Sequence, residues 1–368
     1  MKKLVFIAFM LLLVSCGSAT TEVYDRESLE DKIGQMLMVG FRGFELQDEM
    51  TIVKDIEQRN LGGVILFDYD VPLDIPERNI RDLDQVADLN SDLQQRAEIP
   101  LLIAVDQEGG NVARLKTDHG FHEMPSHQEL GEQDIERTRE VSSQTAEELA
   151  DLGFNINYAP VVDVNLNPEN PIIGSLERSF SDDPEVVTRH AQAFIEAHQQ
   201  HGVYSTIKHF PGHGSSEDDT HIGIADVTDY WQEVELEPYQ NLIATNTVEL
   251  IMTAHIFNEN LDPDHPATLS RSVVTEKLRN QMGYEGLIVS DDMQMDAIAE
   301  FYGLEEALEL GINAGLDVLV FANNSVYEED ITERAIEKIV NLVADGKVDR
   351  SSIEESYQRI MQFKQNLE

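Results

Sequence analysis

The chain has 368 residues, 41% hydrophobic and 7% aromatic, enough to fill a sizeable core. Acidic residues outnumber basic ones 70 to 26, for a formal net charge of −44. A surface of that sign repels phosphate backbones and excludes nucleic acid as a partner.

The first expected element is an export signal. Lys2 and Lys3 precede an unbroken apolar run from Leu4 to Val14. A membrane-spanning helix needs about 20 residues, so this shorter run fits the h-region of a secretory signal over residues 1–15. It ends in Leu13-Val14-Ser15-Cys16, which is similar to a bacterial lipobox, where the cysteine is lipidated and becomes the mature N-terminus. Cys16 is the sole cysteine of the sequence, which excludes disulfides and thiolate metal sites. Residues 16–24, including Gly17 to Thr21, then read as a lipidated cysteine and flexible tether. The expected product is an exported, monomeric lipoprotein held on a membrane by that anchor.

From Asp25 onward, helical patterns alternate with short runs rich in Val, Ile, Leu and Phe. The expected strands are Met36–Gly40, Gly63–Phe67, Leu101–Asp106, Asn155–Val161, Tyr204–Lys208, Leu250–His255, Gly286–Ser290 and Asp317–Phe321. Such continuous apolar runs suit strands buried on both faces, as in parallel sheets. Between them lie helical candidates at Ile80–Ala97, Ile135–Leu152, Pro184–His201 and Leu304–Ala314. Eight strands alternating with helices predict an α/β fold, a single-domain (β/α)8 barrel over residues 25–368, with an open doubly wound sheet as the alternative. Chemistry in such barrels sits at the C-terminal strand ends. Asp106, His209, His255 and Asp291 each fall at or just beyond one.

Asp291 closes an apolar run, where a carboxylate is costly unless hydrogen-bonded or functional. Asp292 is better read as the N-cap of the next helix. The segment from Lys208 to His221 contains a proline and two glycines, which forbid a helix, and three histidines among several acids. A metal site built from His209, His213, His221 and Asp219 is one reading. Against it, no helix aligns the histidines and Lys208 would repel a cation. Acid–base work by a histidine held by a carboxylate, as in Asp219-Thr220-His221, fits better.

The order of these motifs resembles a known family. Lys208-His-Phe-Pro-Gly-His-Gly214 with Asp219-x-His221, Asp106-Gln-Glu-Gly-Gly110 with Arg114, Arg178-Ser-Phe180 and Ser290-Asp-Asp-Met293 resemble the signatures of glycoside hydrolase family 3 β-N-acetylglucosaminidases. The resemblance runs from about Asp31 to Ala322. It implies Asp291 as the nucleophile, His221 held by Asp219 as acid/base, and Asp106, Arg178, Lys208 and His209 as ligands of the sugar hydroxyls. Glu108, Arg114 and His213 would support these, and Pro211, Gly212 and Gly214 would shape the loop. No metal or organic cofactor is implied. Ser215-Ser216 departs from the family's usual Asp-Thr, and Thr220 from its usual serine.

The implied activity is a retaining exo-β-N-acetylglucosaminidase acting on peptidoglycan fragments or chitin-type oligosaccharides. Family 3 β-glucosidases and β-xylosidases generally draw their acid/base from outside the barrel, and the Asp219–His221 loop disfavours them. Transfer to phosphate is a further alternative, because a neutral histidine repels an incoming anion less than a carboxylate does. A catalytically silent sugar-binding lipoprotein would commonly have lost Asp291, Asp219 or His221. Trp231, in a helical stretch, is not expected to stack on sugar. The shortage of basic residues favours adaptation to high salt over a merely acidic surface, since repulsion is screened within about 3 Å at about 1 M salt.

Overall fold

The computed structural model describes residues 27–367. The expected signal peptide, Cys16 and the expected tether lie outside the described residues. Eight strands close into one barrel: β1 (Leu37–Gly40), β2 (Gly63–Leu66), β3 (Leu102–Val105), β4 (Ile156–Asn157), β5 (Tyr204–Phe210), β6 (Leu250–Thr253), β7 (Leu287–Asp292) and β8 (Val318–Phe321). Each is parallel to its neighbours in chain order. β8 returns to β1 with Leu37 opposite Leu319 and Val39 opposite Phe321. The open doubly wound sheet is thereby excluded.

The physical reason is visible in the strands themselves. β2, β3 and β8 are four-residue apolar runs buried at every position, so both faces need a covering layer, which the helices provide. Asp134 and Asp183 start two of these helices, Ile135–Asp151 and Pro184–Gln200, by accepting the N–H groups of Glu136 and Glu185; such caps contribute about 1 kcal/mol each. The two helices pack against each other, the second also against β5, and a large hydrophobic core fills the space inside and around the barrel, with a small separate cluster of Val161, Ile172 and Ile173.

Of the strand ends that differ from expectation, three matter for the site. β4 keeps two ladder residues instead of running to Val161, because Pro160 has no N–H to give; Val161 retains a bridge to Lys208. β5 continues past Lys208 to Phe210, where its register against β6 shifts, so His209 is a strand residue. β7 continues through Asp291 to Asp292. Asp292 is therefore not a helix cap: its Oδ1 accepts the N–H groups of Gln294 and Ala322, tying β7 to the end of β8. The next helical turn, Asp296–Ala299, has Met295 at its N-cap.

Among the described residues no helix is long and apolar enough to cross a membrane.

Candidate active site

The C-terminal strand ends surround an open cavity of about 300 Å³, and Asp106, Arg178, Lys208, His209, His221 and Asp291 all line it. These six came from distant parts of the sequence and the barrel brings them together. Asp219 stands behind His221. Glu108, Arg114 and His213 also face the cavity.

The floor is built on a buried carboxylate. Glu108 lies in the short ribbon Gln107–Gly109 that follows β3 and Asp106. Its two oxygens accept Arg178 Nε and Nη2, each at 2.7 Å, and Lys208 Nζ lies 2.7 Å from the same carboxylate. Burial would raise the Glu108 carboxyl, but the Arg178 and Lys208 cations outweigh it and hold it well below the usual carboxylate range. Lys208 Nζ also donates to Asp106 Oδ1 at 2.7 Å, and Arg114 approaches the other Asp106 oxygen at 3.7 Å. Arg178 is fixed at its backbone too, where His127 Nδ1 donates to the Arg178 carbonyl at 2.8 Å.

Neighbouring strand residues ordinarily point to opposite faces, yet Lys208 and His209 both line the cavity. The peptide bond between them is cis, and the register of β5 against β6 shifts between Ile207 and Phe210. Asp163, fully buried, then holds His209: its carboxylate accepts His209 Nδ1 at 2.7 Å and the His209 and His213 N–H groups at 3.2 and 2.8 Å. The opposite ring nitrogen of His209, Nε2, is left to accept from Arg178 Nη2 at 3.3 Å.

Asp291 faces the cavity from the end of β7. Burial pushes its carboxyl up, but the nearby imidazoles of His255, His209 and His221 and the Asp292 N–H more than compensate, leaving it at about 2 and ionised at neutral pH. Asp292, behind it, is instead pushed up to about 6 by burial. His255 does not line the cavity. It is buried below, its Nε2 donating to the Asp292 carbonyl at 2.9 Å.

The loop after β5 has a buried base and an exposed arm. Gly214 is required at the base because a Cβ would sit 1.8 Å from the Val164 carbonyl oxygen. Asn170 Nδ2 donates to the His213 carbonyl and Asn167 Nδ2 to that of Ser216. Glu235, which burial pushes up to about 7, accepts the Gly214 and Ser215 N–H groups and the Ser215 hydroxyl. The serines that depart from the family pattern are thus absorbed into the fold of the loop, Ser216 Oγ donating to the Asp218 carbonyl. On the arm, Asp219 Oδ1 accepts both the His221 N–H at 2.8 Å and His221 Nδ1 at 2.7 Å. Its Nδ1 thus engaged, this half-exposed imidazole lines the cavity.

The side chains of the three histidines between Lys208 and His221 serve separate partners. His209 belongs to Asp163, His221 to Asp219, and His213, which burial lowers to about 4, sits 3.4 Å from the Thr220 hydroxyl. Trp231 packs outside the cavity, its Nε1 donating to the Pro211 carbonyl. Two residues in this machinery, Asp163 and Glu235, were not singled out from the sequence. Asp163 had a signal, since it interrupts the apolar run Val161-Val162-Asp163-Val164 just as Asp291 closes one.

Comparison with known proteins identifies the family. The sequence matches the family description "Glycosyl hydrolase family 3 N terminal domain" over residues 28–363. It is 37% identical over 294 residues to a beta-hexosaminidase of Tolumonas auensis, covering 78% of this chain and 83% of that one. It is 32% identical to beta-hexosaminidase A of Pseudoalteromonas piscicida, covering 91% of this chain and 60% of the relative. Among solved structures, a glycoside hydrolase family 3 beta-N-acetylglucosaminidase from Paenibacillus superposes with a TM-score of 0.84 at 35% identity, covering 93% of this chain and 63% of that one. A beta-N-acetylhexosaminidase from Beutenbergia cavernae gives 0.80 at 28% identity, covering 92% and 99%. The chain thus spans under two thirds of some relatives and nearly all of others. The chain belongs to glycosyl hydrolase family 3.

Proposed function

We propose that this chain is a retaining exo-β-N-acetylhexosaminidase that removes terminal GlcNAc from peptidoglycan fragments or chitin-type oligosaccharides. The observation that carries the reading is the convergence of an ionised carboxylate, Asp291, and a carboxylate-held imidazole, His221, on one cavity. The names of the relatives support the sugar class.

In this mechanism Asp291 attacks the anomeric carbon while the glycosidic C–O bond breaks, and His221 Nε2–H gives its proton to the leaving oxygen. Retaining enzymes ordinarily use two carboxylates; here the imidazole takes the second role. Asp219 stabilises the imidazolium before transfer and keeps Nδ1 protonated afterward, so Nε2 can then take a proton from the water that hydrolyses the glycosyl-enzyme. Asp106, Arg178, Lys208 and His209 grip the sugar hydroxyls, with Glu108 and Asp163 orienting the last three.

Proton NMR of freshly released GlcNAc from an aryl β-GlcNAc tests the stereochemistry: the β-anomer is expected first. Initial α-anomer would overturn Asp291 as nucleophile. Running the assay with and without phosphate separates hydrolysis from phosphorolysis, and phosphate-independent turnover is expected. The proposal includes export and anchoring at Cys16, for which loss of palmitate labelling in Cys16→Ala is the check.

A further inference from the structure

A buried carboxylate outside the cavity holds the base of the loop that carries the Asp219–His221 pair. Glu235 is fully buried in the short turn Glu233–Leu236. Its Oε2 accepts the Gly214 N–H at 2.9 Å and the Ser215 N–H at 3.3 Å, and its Oε1 accepts the Ser215 hydroxyl at 2.6 Å. Apart from a long contact of 3.4 Å with the Gln232 N–H of its own turn, these hydrogen bonds all go to the loop. A carboxyl group taken wholly out of water, charged or neutral, is unfavourable unless its oxygens are hydrogen-bonded, so Glu235 and the loop base hold each other in place. Gly212 permits the close approach: its φ is +116°, and a Cβ there would lie 2.5 Å from Glu235 Cβ.

The reactive arm comes directly after this base in the chain. Residues 217–218 are exposed, Thr220 is buried again beside His213, and Asp219 and His221 flank it. The arm is therefore hung from two fixed points, the Glu235-bound base and the Thr220 side chain. Glu235 is hydrogen-bonded to none of Asp106, Arg178 and Lys208, so a shift at the first point is expected to act on the imidazole more than on those groups.

We propose that Glu235 is a positioning residue for protonation of the leaving group, fixing Gly214 and Ser215 so that the arm presents His221 to the glycosidic oxygen. This rests on the reading of His221 as the acid. It predicts a loss that depends on how much the leaving group needs a proton, which general loosening of the fold would not produce.

The test compares kcat/KM for phenyl β-GlcNAc, a poor leaving group, with 2,4-dinitrophenyl β-GlcNAc, which departs without protonation. Three proteins are measured: wild type, Glu235→Gln and His221→Ala. General acid catalysis contributes about 10²- to 10⁴-fold, so His221→Ala should lose about that on the phenyl substrate and far less on the dinitrophenyl one. Glu235→Gln should lose part of it, about tenfold on phenyl and under about threefold on dinitrophenyl. Equal losses on both substrates, or no loss, would overturn the role given to Glu235. If His221→Ala itself fails to discriminate, the acid assignment falls instead. Should Glu235→Gln not fold, Ser215→Ala removes only the hydroxyl bond and decides: the same discrimination at smaller size supports the proposal, and its absence refutes it.

Discussion

Replacing Glu108 by glutamine should damage stability and sugar binding together. The wild-type carboxylate accepts two hydrogen bonds from Arg178 and lies 2.7 Å from the Lys208 ammonium, with almost no exposure of any of the three. Glutamine keeps the shape but removes the charge and turns an N–H pair toward a cation. Two buried cations are then left with one neutral acceptor, and Asp106 remains for Lys208 alone. Breaking a buried ion pair costs about 3–5 kcal/mol. At about 2 °C per kcal/mol for a domain of this size, the melting temperature should fall by roughly 6–10 °C. Because Arg178 and Lys208 are the groups that lose their common brace, KM for a GlcNAc glycoside should rise as well. Scanning calorimetry and steady-state kinetics on the same preparation measure both. A variant that melts within about 2 °C of wild type with unchanged KM would show that Glu108 does not organise the floor.

Further predictions rest on the same geometry. Asp291→Ala should lower kcat by about 10⁴-fold or more with the fold intact, as removal of a nucleophile does elsewhere; near-normal turnover of purified protein would remove Asp291 from its role. His127 is held neutral by burial, at about 4 in the fold against an ordinary value of about 6.5. A histidine with a lowered folded value stabilises fully above about 6.5 and loses that contribution as pH falls toward 4. His127→Phe, which retains stacking on Phe180, should therefore melt below wild type at pH 7 by a gap that narrows by pH 5; a gap independent of pH contradicts the assignment. The excess of carboxylates predicts a melting temperature that rises between low and molar salt, and a flat or falling response would dispose of salt adaptation.

The barrel was legible because its strands are apolar on both faces, so runs such as Gly63–Leu66 and Leu102–Val105 stand out whatever surrounds them. Strand ends were less so. The extension of β5 through His209 and of β7 through Asp292 depends on register shifts against neighbouring strands, which no local pattern encodes. The proposed reacting residues stand out by their family pattern and, for Asp291, by its place at the end of an apolar run. Asp163 is the instructive omission: its apolar setting made it as costly as Asp291, and that cost is met by His209 and His213. Glu235 could not be found that way. In Gln232-Glu-Val-Glu-Leu236 it alternates with apolar residues like any acid on a solvated face, and its partners are chiefly backbone N–H groups twenty residues away in sequence.

The pocket of this very acidic protein is nearly electroneutral. Asp106, Glu108 and Asp291 are matched by Arg114, Arg178 and Lys208, leaving Asp292, lifted to about 6, as one unmatched carboxylate at neutral pH. The field met by an approaching molecule is therefore written by the outer shell, where carboxylates dominate, and not by the groups that will grip it. A neutral GlcNAc glycoside should arrive indifferent to ionic strength. An anionic one, such as a fragment bearing lactyl or peptide carboxylates, meets a repulsion that fades as the screening length shrinks from about 10 Å at 0.1 M to about 3 Å at 1 M. Brine would then act as a substrate filter, admitting charged cell-wall fragments to a cavity that at low salt favours neutral chitin-like ones.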